Sequence, residues 1–286
     1  MGLPEKPLLD SAAEDWAGEM GERWLKHLDR FEGMIAPVGR ALLERAAFRA
    51  GERVLDIGCG AGATSLEIGK RVGADGAVLG LDISPVLVAA AERRASAAHL
   101  RNLSFQCADA ATASLEGAPF DRLFSRFGVM FFPDAPGAFA NLHRWVRPGG
   151  RFDFSVWAPA RENPWIAQTL AVIGEFVELP RPEPRAPGPF ALDDQAYVHE
   201  LLERAGFSSI EFETWRGEQP VGGPGASPEG AAAFVFEAMS LGKMLDEASS
   251  DARSAVRESL SELFARHRSC GGILMSGAAY LVSARG

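Results

Sequence analysis

Residues Arg53 to Ala63, RVLDIGCGAGA, restrict this chain more than any other stretch. Val54, Leu55 and Ile57 make a short apolar run of the kind buried on both faces of a parallel sheet. Glycines follow at alternate positions, Gly58, Gly60 and Gly62. Thr64 and Ser65 then open a segment in which Leu66, Ile68 and Val72 recur at helical spacing. The unit predicted is strand, glycine loop, helix N-terminus. Glycine there allows a tight turn and close approach of the backbone to a ligand. The free N–H groups of a helix start suit an anionic or polar part of that ligand.

Two classes of ligand share such a loop. Gly58, Gly60 and Ala63 fit the dinucleotide pattern G-x-G-x-x-G/A. Asp56, in the last turn of the strand, separates them. A carboxylate close to a pyrophosphate repels it, whereas a ligand with a cationic amino-acid end is suited by an acid there. S-adenosylmethionine carries a sulfonium, an ammonium and a carboxylate, and it fits this loop. A nicotinamide dinucleotide is the competing reading, and a purely structural glycine turn the simplest one.

The stretches that follow extend one sheet. Residues 77–84, AVLGLDIS, read as a second strand ending in Asp82, with Ser84 as N-cap and Pro85 at the first position of the next helix. An acid at that strand end is where ribose hydroxyls are held in doubly wound folds, which makes Asp82 a second cofactor residue. Residues 102–108 form a third strand, and Asp109 after it is placed to accept from an adenine amino group. Residues 120–125 form a fourth. The segment after it, RFGVMFFPD, puts Phe127, Met130, Phe131 and Phe132 near the carboxyl edge of the sheet, where ligands of open α/β sheets bind. These side chains form either a buried junction or an apolar wall for an acceptor. A helix over 135–146 ends at Arg147-Pro148-Gly149-Gly150, and a fifth strand occupies 151–157. Five strand–helix alternations with short connections indicate a parallel, doubly wound sheet.

The flanks are helical. Residues 1–10 read as an arm and 11–50 as helix, capped by Asp10 or Ser11, with a second helix after Pro37. Trp16, Met20, Trp24 and Leu28 recur at helical spacing. The simpler reading of this stripe is core packing; the sharper one is a lid whose aromatic face covers the glycine loop. Beyond Trp157 the pattern predicts a helix over 160–178 and a proline-rich surface loop over 180–190. A helix capped by Asp193 or Asp194 follows and ends at Gly206. Then come a strand over 207–215, a loop over 219–230, helices at about 228–242 and 246–268, and a closing strand, AAYLVSAR.

Composition narrows the partners. At 47% hydrophobic and 23% charged, 286 residues can bury a sizeable core. A net charge of −9 with no basic face gives no support to nucleic-acid or anionic-membrane binding. Three widely spaced cysteines make neither a disulfide framework nor a metal site, so no metal is expected and a reducing cytoplasm fits best. Neither a signal-type apolar core nor a run of membrane-spanning length is expected.

Taken together, VLDIGCGAG (54–62), LGLDIS (79–84), Asp109-Ala110, FDRLFSRFGVMFF (120–132) and RPGGRFDFSVW (147–157) resemble the class I S-adenosylmethionine-dependent methyltransferases. Within that family the chain looks most like bacterial small-molecule enzymes, the group that includes the ubiquinone and menaquinone C-methyltransferases. The resemblance covers 53–157 well and the ends weakly. It implies a Rossmann-like α/β sheet of seven strands in the order 3-2-1-4-5-7-6, with strand seven antiparallel. It also implies one domain: a lid over 1–50, a cofactor-binding core over 51–157, and cap elements with strands six and seven over 158–286.

Carried onto this sequence, the resemblance has Asp56 order the loop and, often through water, the methionine ammonium, and has Gly58 and Gly60 contact the methionine end by backbone. Asp82 and Ile83 meet ribose and adenine, Asp109 and Ala110 the adenine edge, and Ser125 and Arg126 the methionine portion. Trp16, Phe127, Met130 and Phe131 are the expected acceptor pocket. The expected function is methyl transfer to an O, N or C nucleophile of a small apolar or aromatic molecule, by a chain compatible with a homodimer. The alternatives are a nicotinamide-dependent oxidoreductase and a cofactor-binding enzyme that does not methylate, such as a cyclase. No catalytic base stands out among the five histidines; His143, nearest the core motifs, is the candidate.

Overall fold

A computed structural model of the chain describes residues 15–179, 183–239, 241, 245 and 248–286. The expected arm, its Asp10 or Ser11 cap and residues 180–182 of the proline-rich stretch lie outside the described residues. Two N-terminal helices, α1 (Glu19–Lys26) and α2 (Leu28–Ala46), precede the sheet. Then β1 (Arg53–Ile57), α3 (Ala63–Val72), β2 (Ala77–Asp82), α4 (Pro85–Ala97), β3 (Leu103–Cys107), β4 (Phe120–Arg126), α5 (Ala135–His143) and β5 (Val146–Trp157) alternate. The remainder comprises α6 (Pro164–Gly174), α7 (Gln195–Ala205), β6 (Ser208–Pro220), α8 (Pro228–Glu237), α9 (Ser250–Ala265), the two-residue β7 (Arg268–Ser269) and β8 (Gly272–Arg285).

The strands order as β3-β2-β1-β4-β5-β8-β6, with β7 folded back onto the start of β8. The first five are parallel, and β8 runs antiparallel to both β5 and β6. This is the expected seven-strand order with the last strand reversed. Val54, Leu55 and Ile57 are buried, as a strand covered on both faces requires. One apolar cluster runs from Phe31 of α2 through the sheet to Ala284 of β8.

Several boundaries depart from the sequence reading. The N-terminal break falls at His27, not Pro37, which lies inside α2. A proline removes only one intrahelical hydrogen bond, and α2 is held by the burial of Ile35, Val38, Leu42 and Leu43 around it. The helix before β5 stops at His143, and Arg147-Pro148-Gly149-Gly150 belongs to β5. Pairing with β4 shifts register there, from Phe120↔Val146 to Arg122↔Arg151. Gly149, at φ 71°, supplies the left-handed residue that such a bulge uses. β6 and β8 both run further than expected and pair as far as Pro220↔Leu274, so Gln219 and Pro220 extend a ribbon rather than opening a loop.

Elsewhere the local signals hold. Asp194 caps α7 by accepting the Ala196 N–H at 2.9 Å, and Gly206 ends that helix in the left-handed region. Ser84 occupies the N-cap of α4 with Pro85 at its first position, but its hydroxyl makes no capping bond.

Candidate functional site

The glycine loop leaves β1 at the carboxyl edge of the sheet. The N–H groups of Gly58 and Cys59 both donate to Leu81 O, at 2.8 and 3.1 Å, tying the loop to β2. Gly58 has φ 65°, and a Cβ on it would lie 2.8 Å from Gly128 Cα, so the turns after β1 and β4 touch. Gly60 has φ 54°, and a Cβ there would meet nothing within 4 Å. The backbone at Gly60 therefore faces open space.

Asp56 lies beneath this loop and is fully buried. Its Oδ2 accepts from Thr64 Oγ1 at 2.7 Å and Ser65 Oγ at 2.6 Å, while Oδ1 has no partner among the described residues. Burial pushes its pKa from the ordinary 3.8 up to about 6, against the two hydroxyls and the Arg126 charge. Asp56 thus fastens the start of α3 to the end of β1. Asp82 accepts the Gly60 N–H on Oδ2 at 2.8 Å and the Ser84 N–H on Oδ1 at 2.9 Å. Each oxygen keeps a further lone pair for a hydroxyl donor. Burial raises the Asp82 pKa, and the backbone donors oppose that shift.

A cavity of about 480 Å³ opens over the loop, within the size range of ligand sites. At one end it is lined by Gly58, Gly60, Asp82, Ile83, Asp109 and Ala110; at the other by Trp16, Phe127, Met130, Phe131, Trp157 and Trp165. Asp109 also stabilises its own turn, accepting from Ala111 N at 2.8 Å and Thr112 Oγ1 at 3.2 Å. Phe127 is a bulky residue at φ 63°, outside its ordinary range. Its ring stacks on Trp157 with centroids 4.1 Å apart. Trp16 meets Phe131 edge-on at 4.9 Å and Trp24 at 5.6 Å, and Trp24 stacks on Phe31 at 4.1 Å. The N-terminal stripe therefore packs inward and lines the cavity at once.

Arg126 also lines this cavity. It shares with Glu32 a second cavity of about 340 Å³ between α2 and α3. Burial lowers its pKa, with Glu32 and Asp56 opposing. Glu32 is held by Arg94, which also donates to Ala61 O in the glycine loop at 2.8 Å.

Besides Asp56, which lies beneath the loop and not in the cavity lining, two expected site residues sit elsewhere. Ser125 is fully buried, its hydroxyl donates to Ile57 O at 2.8 Å, and it does not line the cavity. Its hydroxyl satisfies the last carbonyl of β1 instead of a ligand. His143 ends α5 and packs edge-on against Phe207 at 4.9 Å, away from the cavity. None of the five histidines lines it. Sequence reasoning missed Glu32, Arg94, Trp157 and Trp165. Trp157 had a signal, its place at the carboxyl end of a strand; the Glu32–Arg94 link joins residues far apart in the chain and left none.

Residues 54–150 match the family model described as a methyltransferase domain. Over 121 residues the chain is 40% identical to the aklanonic acid methyltransferase DauC of Streptomyces sp. strain C5, covering 42% of this chain and 55% of the relative. Over 148 residues it is 33% identical to the nocamycin O-methyltransferase of Saccharothrix syringae, covering 51% and 52%. The chain spans about half the length of these curated relatives. The crystal structure of YcgJ from Bacillus subtilis superposes with a TM-score of 0.57 at 19% identity, over 87% of this chain and 98% of that one, and shows the same fold. Fold, glycine loop and sequence matches agree on the central segment, and residues 54–150 of the chain are similar to a methyltransferase domain.

Proposed function

We propose that the chain transfers a methyl group from S-adenosylmethionine to an oxygen nucleophile on a small apolar or aromatic molecule. The observation that carries this reading is one continuous cavity joining the glycine loop and Asp82 to an aromatic wall. The similarity to the nocamycin O-methyltransferase supports an oxygen acceptor, and that to the aklanonic acid methyltransferase a small-molecule one.

The residues fit the cofactor. Gly60 presents an open backbone cradle, Asp82 keeps lone pairs for ribose hydroxyls, and Ile83 and Ala110 flank the place for adenine. Bound there, the cofactor would supply a methyl group on a good leaving group. The chain's own part is then positioning and exclusion of water. Trp16, Phe127, Phe131 and Trp157 would hold a flat acceptor, and the stacked Phe127–Trp157 pair fixes one wall of that slot. No imidazole is in the cavity to take a proton, so an acceptor already anionic at neutral pH suits the site. The unpaired cysteines Cys59, Cys107 and Cys270 suit a reducing cytoplasm. No described helix is long and apolar enough to cross a membrane.

Calorimetric titration with S-adenosylhomocysteine and with NADH separates the cofactor classes, binding being expected for the first alone. Incubation with methyl-labelled S-adenosylmethionine and a panel of hydroxylated and carboxylated aromatics should yield labelled product. Tight cofactor binding with no transfer to any of them or to a metabolite extract would favour a non-methylating enzyme.

A further inference from the structure

An acid able to face the amino-acid end of a cofactor must reach the cavity, and Asp56 does not. Both its oxygens are buried, and the one that is paired already holds two hydroxyls. The acid at the junction of the two cavities is Glu32, on the N-terminal helix α2. Its two oxygens take the Arg94 guanidinium at 2.7 and 3.0 Å. A carboxylate has about four acceptor positions, so this leaves capacity toward the cavity.

The cation at the same junction is Arg126. Its side chain lies along α2 where Gly39 leaves room: a Cβ on Gly39 would lie 2.9 Å from Arg126 Cδ and 3.3 Å from Nη1. Among the described residues Arg126 makes no ion pair or hydrogen bond; Glu32 and Asp56 act on it only at longer range. The half-buried guanidinium thus borders both cavities with its donors uncommitted, open to an anionic ligand group.

Resting on the cofactor reading above, we infer that Glu32 of α2 and Arg126 at the end of β4 form a zwitterion clamp that takes the ammonium and carboxylate of the cofactor's amino-acid end. With the nucleoside at Asp82 and Ile83, the opposite end of the ligand reaches the Glu32–Arg126 junction. Glu32 meets the ammonium with Arg94 fixing its carboxylate, and Arg126 meets the carboxylate with a forked pair of donors. Asp56 keeps a structural role, anchoring Thr64 and Ser65. The lid helix thereby becomes part of the cofactor site, and only a ligand with both charged groups secures it.

The test compares two ligands on the full chain by calorimetry. S-adenosylhomocysteine has the amino-acid end; 5′-methylthioadenosine is the same nucleoside thioether without it. Glu32→Gln and Arg126→Gln are each expected to weaken S-adenosylhomocysteine at least tenfold and to leave 5′-methylthioadenosine within about twofold, which also shows that the site is folded. Arg126→Lys is expected to recover part of the loss. Unchanged affinity for S-adenosylhomocysteine, or equal loss of both ligands, overturns the clamp. A wild-type chain that binds neither overturns the cofactor reading itself, and the clamp with it.

Discussion

Asp56 shows how one residue of the motif can order the loop from beneath it. Its place in RVLDIGCGAGA pointed to a ligand, and its packing makes it a buried tie under the loop. Because its folded-state pKa, about 6, lies above the ordinary 3.8, the folded chain holds the proton more tightly between about pH 4 and pH 6. Stability from this group is therefore highest at low pH, falls as pH rises through that window, and is level above it. The size of the effect is about 3 kcal/mol. Asp56→Asn removes the ionisation and keeps an oxygen for Thr64 and Ser65. The difference in unfolding free energy between variant and wild type should move in the variant's favour between pH 4 and pH 8, by an amount of that order. Denaturant melts at those two pH values measure it, and a pH-independent difference would refute the assignment. Glu32 was invisible in sequence for the opposite reason. An acid in a helix of mixed polarity has no local mark, and its meaning comes from Arg94, 62 residues away.

At the level of elements, the parallel core was legible because each strand there is a short apolar run followed by a residue that must turn or cap. The ends were less so. β6 is an edge strand with an exposed, charged outer row, so its alternation is faint, and its extension through Gln219 and Pro220 reads as loop until β8 is seen beside it. α1 illustrates contact chemistry that composition hides. A Cβ on Gly21 would come 2.2 Å from Ser84 Oγ and 2.6 Å from Trp16 O. Glycine there lets α1 lie directly on the N-terminus of α4, beside a small cluster of Ala61, Leu87 and Ala90 that Trp24 and Leu28 cover. In an isolated helix, replacing glycine by leucine stabilises by roughly 0.5–1 kcal/mol. Here Gly21→Leu should instead lift α1 off α4. Amide exchange over residues 19–26 is expected to quicken at least tenfold while the sheet strands keep their protection. Unchanged exchange over 19–26 would show that the helix does not depend on this close approach.

For the whole molecule the question is whether the cap elements fold with the sheet or on their own account. Asn163 stands where they join. The two N–H groups of its Nδ2 are shared among Ala158 O, Pro159 O and Ala278 O at 2.9, 3.3 and 3.1 Å, and its Oδ1 accepts from Trp165 Nε1 at 3.0 Å and Ala278 N at 2.9 Å. One fully buried amide thus links the end of β5, the middle of β8 and the cap helix that carries Trp165 into the cavity. Asn163→Ala would orphan two buried donors, the Trp165 indole and the Ala278 amide. At about 1–3 kcal/mol for each unsatisfied group, the expected loss is about 2–6 kcal/mol. Because the apolar cluster passes without a break from α2 through the sheet into α8 and α9, this loss should displace a single unfolding transition. Far-UV circular dichroism, which follows the whole secondary structure, and tryptophan fluorescence, which follows the cavity wall, should report coincident midpoints in the variant, shifted together from the wild-type value. S-adenosylhomocysteine at a hundred times its dissociation constant should stabilise both signals together by about 2.7 kcal/mol. Separation of the two midpoints in Asn163→Ala would mean that the cap is an independent unit laid over the sheet, and that the aromatic wall is free to open while the cofactor loop stays folded.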